Sequence, residues 1–114
     1  MRVAYLTAGT HGAGHVVRGV AVQRALERRG AGVEFRLFSP PSPFARLAGA
    51  AHTPVTVDPT ELRSPPRARA SGLARALHDF APDVVLVDLF WVPLAFMPLP
   101  CPAWLLLRSV PPAW

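Results

Sequence analysis

The sequence predicts an α/β fold, with an open, doubly wound, mostly parallel sheet of about five strands. Three observations predict it. Short β-rich apolar runs alternate with stretches of helical periodicity. A glycine-rich segment joins the first such run to the first helical stretch. The run VVLVD, Val84 to Asp88, carries no charge until its last residue, the composition of a parallel strand covered on both faces. Together they describe a Rossmann-like sheet.

The first strand is Arg2 to Thr7, RVAYLT. His15 to Arg29 contains no proline and sets Val16, Val20, Ala21, Ala25 and Leu26 at helical spacing, before Gly30 and Gly32 stop it. Val33 to Phe38 is a second strand, closed by Ser39-Pro40-Pro41; the resulting βαβ unit predicts a parallel pair. Pro43 to Ala51 reads as one short helix. Thr53 to Val57 is a weak strand that Pro54 assigns to an edge. Asp58 to Pro66 reads as a proline-rich loop. Ala68 to Phe80 is helical, with Leu73, Leu77 and Phe80 on one side. Val84 to Asp88 and Ala103 to Leu107 complete the strands.

The 114 residues are the size of one small domain, and 51% are apolar. The single cysteine, Cys101, excludes an internal disulfide framework and fits a reducing, cytoplasmic setting. The apolar run Val3 to Leu6 is too brief for a secretory signal. The net charge of +5 arises from twelve arginines in a chain without Lys, Asn or Ile, residues whose codons are AT-rich. The arginines are scattered apart from Arg63, Arg67, Arg69 and Arg75, and no basic stripe interleaved with aromatics appears, so nucleic acid is not the expected partner. Val84 to Leu107 has the length of a membrane span with only Asp88 charged, but Pro93, Pro98, Pro100 and Pro102 interrupt it. Two strands flanking an apolar connection account for it better.

The segment TAGTHGAGHVVRG, Thr7 to Gly19, is the candidate site. Glycines let backbone amides approach an anion, and a helix N-terminus adds positive potential. A Walker A loop needs a lysine, and the chain has none. A dinucleotide fingerprint begins at Gly12-Ala13-Gly14, but Val17 stands where its third glycine belongs. Phe38 and Ser39 stand where its ribose-binding acid belongs, and Glu34 begins the strand instead of ending it. The candidate binding residues are Gly9, Thr10, His11, Gly12, Ala13, Gly14 and Arg18. His15 and Asp88 are the candidates for chemistry. His15 sits where the first strand meets the first helix, and an imidazole can take a hydroxyl proton near neutral pH. Asp88 ends its strand at the same edge of the sheet, either as a cap for the segment after it or as an acid beside the site. Arg18 can pair with Asp88, hold a phosphate or face solvent. His52 and His78 have no partners at useful spacing, no metal-ligand spacing occurs, and no cofactor is expected. Cys101, between two prolines, reads as filler. Phe90, Trp91, Leu94, Phe96 and Met97 form an apolar, proline-broken connection expected to leave some surface exposed.

The stretch GTHGAGHVVRGVAVQRALERRG, Gly9 to Gly30, resembles the opening of GT-B glycosyltransferases. It is similar to glycosyltransferase family 28, the MurG-like enzymes. It is closer still to predicted bacterial glycosyltransferases that begin with a strand, a Gly-x-Gly-x-Gly-His-x-x-Arg loop and an Ala-x-x-x-Ala-Leu-x-x-Arg-Gly helix. Gly12, Gly14, His15, Arg18, Ala21, Ala25, Leu26 and Gly30 fall on that pattern, and PDVVLVDLF, Pro82 to Phe90, resembles the fourth strand of such domains. The resemblance implies that residues 1–114 are one half of a GT-B fold, the acceptor-side N-terminal domain, without the C-terminal domain that holds most of the nucleotide-sugar donor. It implies transfer of a hexose to an acceptor hydroxyl with no obligatory metal, and no measurable transfer by this half alone. The loop would face a diphosphate or the acceptor, and His15 would orient or deprotonate the acceptor hydroxyl, or hydrogen-bond a phosphate. The apolar connection suits a lipid-linked acceptor, peripheral membrane contact or self-association. Two departures stand out: His11 is additional, and Arg18 replaces the proline usual in MurG-type loops. Two other readings fit the same residues: a non-catalytic binding domain that kept the fold, and a small nucleotide- or flavin-binding α/β protein.

Overall fold

The strand RVAYLT shows how this sequence builds a sandwiched sheet. In β1 (Arg2–Thr7) every residue after Arg2 is buried, so both faces of the strand are covered. Side chains alternate between those faces. Val3 and Tyr5 pack with Val16 and Val20 of α1 (Gly14–Arg28) and with Ala45 and Ala48 of a 3₁₀ helix (Pro43–Ala51). Ala4 and Leu6 face the other way, onto Leu73 and Leu77. The computed structural model describes residues 1–8, 14–30, 32–89, 95–99 and 101–106.

β2 (Glu34–Ser39), β3 (His52–Pro54), β4 (Val84–Asp88) and β5 (Ala103–Leu106) complete a five-stranded sheet of order β3-β2-β1-β4-β5. Every pairing is parallel. The chain runs outward from β1 through β2 to β3, then returns to place β4 on the other side of β1. α1 and the 3₁₀ helix cover one face. The other face is covered by α2 (Pro59–Leu62), α3 (Pro65–Arg69) and α4 (Gly72–Phe80), through Leu62, Ala68, Leu73, Leu77 and Phe80. This is the doubly wound, Rossmann-like α/β architecture. Its strand order reverses between β1 and β4, and ligands of such sheets bind at the carboxyl ends of the strands at that switch point.

Gly19 lets α1 settle close to the sheet. A Cβ there would lie 2.9 Å from Leu37 Cδ1 and 3.0 Å from Tyr5 Cδ1. This close approach is the work of the third glycine in a dinucleotide fingerprint, here done two residues after the exposed Val17.

The structure corrects several local expectations. Asp58 to Pro66 is not a loop: Asp58 accepts hydrogen bonds from the Thr60 and Glu61 amides and caps α2, and Pro59 and Pro65 stand in the first turns of α2 and α3. The helix expected from Ala68 is broken, because Ser71 accepts from the Ala74 amide and starts α4 at Gly72. β3 is an edge strand, as Pro54 requires, but spans His52–Pro54. The 3₁₀ helix kinks at Gly49, whose φ is 60°. Met97 is buried in the core under α4, and Phe96 is half-buried. Phe90, Trp91 and Leu94 lie outside the described residues. β4 is less covered than its composition implies: Val84 and Leu86, on the α1 side, are half-buried, and neighbouring Trp104 is 67% exposed. Cys101 is half-buried, and burial, followed by the nearby Asp83 charge, pushes its thiol pKa up. Among the described residues, no helix is long and apolar enough to cross a membrane.

Candidate functional site

Thr7 and Asp88 end β1 and β4 and are register partners, so they flank the switch point. The period of two that sends Tyr5 toward α1 sends Thr7 and its partner Asp88 to the same side. Arg18 lies one turn into α1. These placements assemble a buried polar cluster. Tyr5 Oη donates to Asp88 Oδ2 at 2.7 Å, and Arg18 Nη1 donates to Asp88 Oδ1 at 2.7 Å. The Asp88 side chain is 0% exposed and that of Arg18 is 37% exposed. The guanidinium thus reaches from solvent onto a carboxylate that water does not reach.

Burial, and then the hydrogen bond to Asp88 and its charge, push the Tyr5 pKa well above its ordinary value; the Arg18 charge opposes this more weakly. Tyr5 therefore stays a phenol and serves as a fixed donor. Both carboxylate oxygens of Asp88 are engaged by these two partners, so its geometry suits holding Arg18 in place. Thr7 Oγ1 is buried without a hydrogen-bond partner among the described residues. Leu89, directly after Asp88, has φ 60°, a left-handed conformation that costs a leucine energy. Its amide donates to the Leu106 carbonyl at 3.1 Å. Strain of this kind gathers where a structure must aim a side chain.

Of the residues singled out from sequence, Arg18 and Asp88 are brought together. Gly14 and His15 form the first turn of α1, at the carboxyl end of β1; the His15 side chain, and Gly9, Thr10, His11, Gly12 and Ala13, lie outside the described residues. Tyr5, Thr7 and Leu89 are not among the residues that sequence patterns mark. Tyr5 and Thr7 nonetheless carry a readable signal, since they alternate onto the face that α1 covers. His52 does have a partner: its Nε2 is 2.9 Å from Ser39 Oγ, across the β2–β3 pair. His78 is on the surface of α4. Among the described residues, no group of three His, Cys, Asp or Glu side chains could hold a metal ion. Comparisons with protein-family models, curated proteins and solved structures gave no match to this chain.

Proposed function

We propose that this chain is the acceptor-side, N-terminal domain of a GT-B glycosyltransferase that moves a hexose from a nucleotide-sugar to an acceptor hydroxyl. The observation that carries the reading is the Arg18–Asp88 ion pair at the switch point, beside the first turn of α1. It supports the resemblance of Gly9 to Gly30, because it fixes a cation where that resemblance puts a diphosphate or an anionic acceptor group.

In this reading the amides at the start of α1 and the remaining N–H groups of Arg18 hold the anion. Asp88 positions Arg18 and takes no proton itself. His15 accepts the proton of the acceptor hydroxyl as that oxygen attacks the anomeric carbon, and the nucleoside diphosphate leaves with the electron pair of the glycosidic bond. The donor is held mainly by a second domain, and nucleic acid has no part. Exposed Val17, Phe44 and Leu47, on the α1 side of the sheet, offer apolar surface to a lipid-linked acceptor.

Turnover by the enzyme reconstituted with a donor-binding domain tests the reading. His15→Ala lowers kcat by about a hundredfold, the scale for losing a general base. Full turnover by His15→Ala, with a lowered melting temperature, would make His15 a packing residue and remove the proposed chemistry.

A further inference from the structure

Arg36 is the least expected residue in the sheet. It lies mid-way along β2, an interior strand, and its register partner is the fully buried Ala4. Its side chain points to the α4 side, where its guanidinium carbon sits 5.2 Å from the centre of the Phe80 ring. One guanidinium nitrogen, Nη1, donates to Thr53 Oγ1 at 3.0 Å. Nε is buried and has no hydrogen-bond partner among the described residues. A guanidinium has five N–H donors, so most of this capacity is unspent.

The same side chains line a cleft of about 420 Å³ between β2 and α4. Its charges do not cancel locally. Arg2, whose guanidinium carbon is 5.8 Å from the centre of the same ring, is already matched: Nε donates to Glu34 at 3.1 Å and Nη1 to the Phe80 carbonyl at 2.9 Å. Asp79 is 84% exposed at the rim, 3.8 Å from His78. Arg36 is left as the inward cation without an acid partner among the described residues. Ala76 and Phe80 supply the apolar wall, with the fully buried Phe38 behind them.

We propose that this cleft binds a small monocarboxylate with a flat apolar body. One carboxylate matches the single unpaired guanidinium in a two-bond fork, and a planar body lies against Phe80 beside Ala76. A phosphate dianion would bring a second negative charge toward Glu34 and Asp79, and the other cation of the cleft, Arg2, is already paired with Glu34. The cleft is on the opposite face of the sheet from Asp88, so it stands independently of the proposed glycosyl transfer.

The test is a two-dimensional amide NMR titration of the whole chain with benzoate, 2-naphthoate and inorganic phosphate. Saturable shifts at the Thr53, Ala76, Asp79 and Phe80 amides are expected with the carboxylates, tighter for naphthoate, and absent with phosphate. Arg36→Met should abolish them while the chain stays folded. Arg36→Lys, which keeps charge but loses the fork, should raise Kd about tenfold. The proposal is overturned by carboxylates that give no saturable shift at these amides, by unchanged shifts in Arg36→Met or Arg36→Lys, or by phosphate binding there more tightly.

Discussion

Asp88 ends β4 on the α1 side of the sheet, and Arg36 sits mid-way along β2 on the α4 side. Both put an ionisable group on an interior strand, where apolar side chains are the rule. Their surroundings differ. Asp88 is fully buried and meets a donor at each oxygen, one of them a cation. Arg36 is half-buried, gives one bond to a neutral hydroxyl and leaves Nε unmatched. The contrast separates two uses of buried charge. A matched group is part of the framework, and removing either partner is costly; an unmatched group adds little to the framework and is available to a ligand.

The largest effect is expected from removing the cation beside the charge that water does not reach. Arg18→Leu leaves Asp88 buried with Tyr5 as its hydroxyl donor and no Arg18. Its cost is expected at about 3 kcal/mol, the low end for a broken buried pair because Arg18 is over a third exposed and water can enter. Asp88→Leu is expected to cost less, about 2 kcal/mol, since among the described residues it orphans the Tyr5 hydroxyl and releases Arg18 toward solvent. The double variant should therefore be more stable than Arg18→Leu alone. Urea midpoints of the three chains check the order; a less stable double variant would mean that the pair is not the unit.

Tyr5→Phe tests the neutral partner. About 1 kcal/mol is expected, the scale of one hydrogen bond to a charged acceptor discounted for the Arg18 contact that remains. The pH dependence is more telling. The ordinary tyrosine pKa is 10.0, and the fold holds Tyr5 above it. The unfolded chain then loses this proton first as pH rises, so the contribution is whole below pH 10 and is lost progressively above it. The chain has one tyrosine. Its ultraviolet tyrosinate signal should stay flat past pH 10 and appear with unfolding, and Tyr5→Phe should remove this share of the alkaline destabilisation. Cys101, whose pKa is also raised from 9.0, is set aside with Cys101→Ser.

Arg36→Met has the smallest expected effect. An apolar side chain of similar length fills the same space against Phe80 and removes an unmatched donor, so stability should change by less than about 0.5 kcal/mol or rise. Thermal and urea melts check it. A loss as large as that of Asp88→Leu would place Arg36 in the framework.

Much of this arrangement is legible in the residues. The bounds of β1 and β4 can be read directly, because each is a dense apolar run between clear breaks. Asp88 and Arg18 are marked by position alone, one at a strand end and one a turn into a helix. The prolines between Asp58 and Pro66 mislead, because proline ends a helix from inside but suits its first turn, and only the Asp58 and Ser71 caps show which applies. Tyr5 reads as core in an apolar strand. Its role depends on which residue of β4 lies beside it, and register across a parallel pair is not written in local sequence. The same holds for the Ser39–His52 contact and for the Arg36 stacking on Phe80.

An anionic group held at the switch point beside Asp88 is the condition on which the proposed glycosyl transfer most depends. An amide NMR titration of the whole chain with a short-chain prenyl diphosphate measures this directly. Saturable shifts are predicted at Ala8, Gly14, His15 and Arg18, reduced in Arg18→Leu and abolished in Gly14→Val, which replaces the bare backbone that an anion cradle needs. Shifts confined to the Arg36 cleft, or no saturable change at the start of α1, would contradict it.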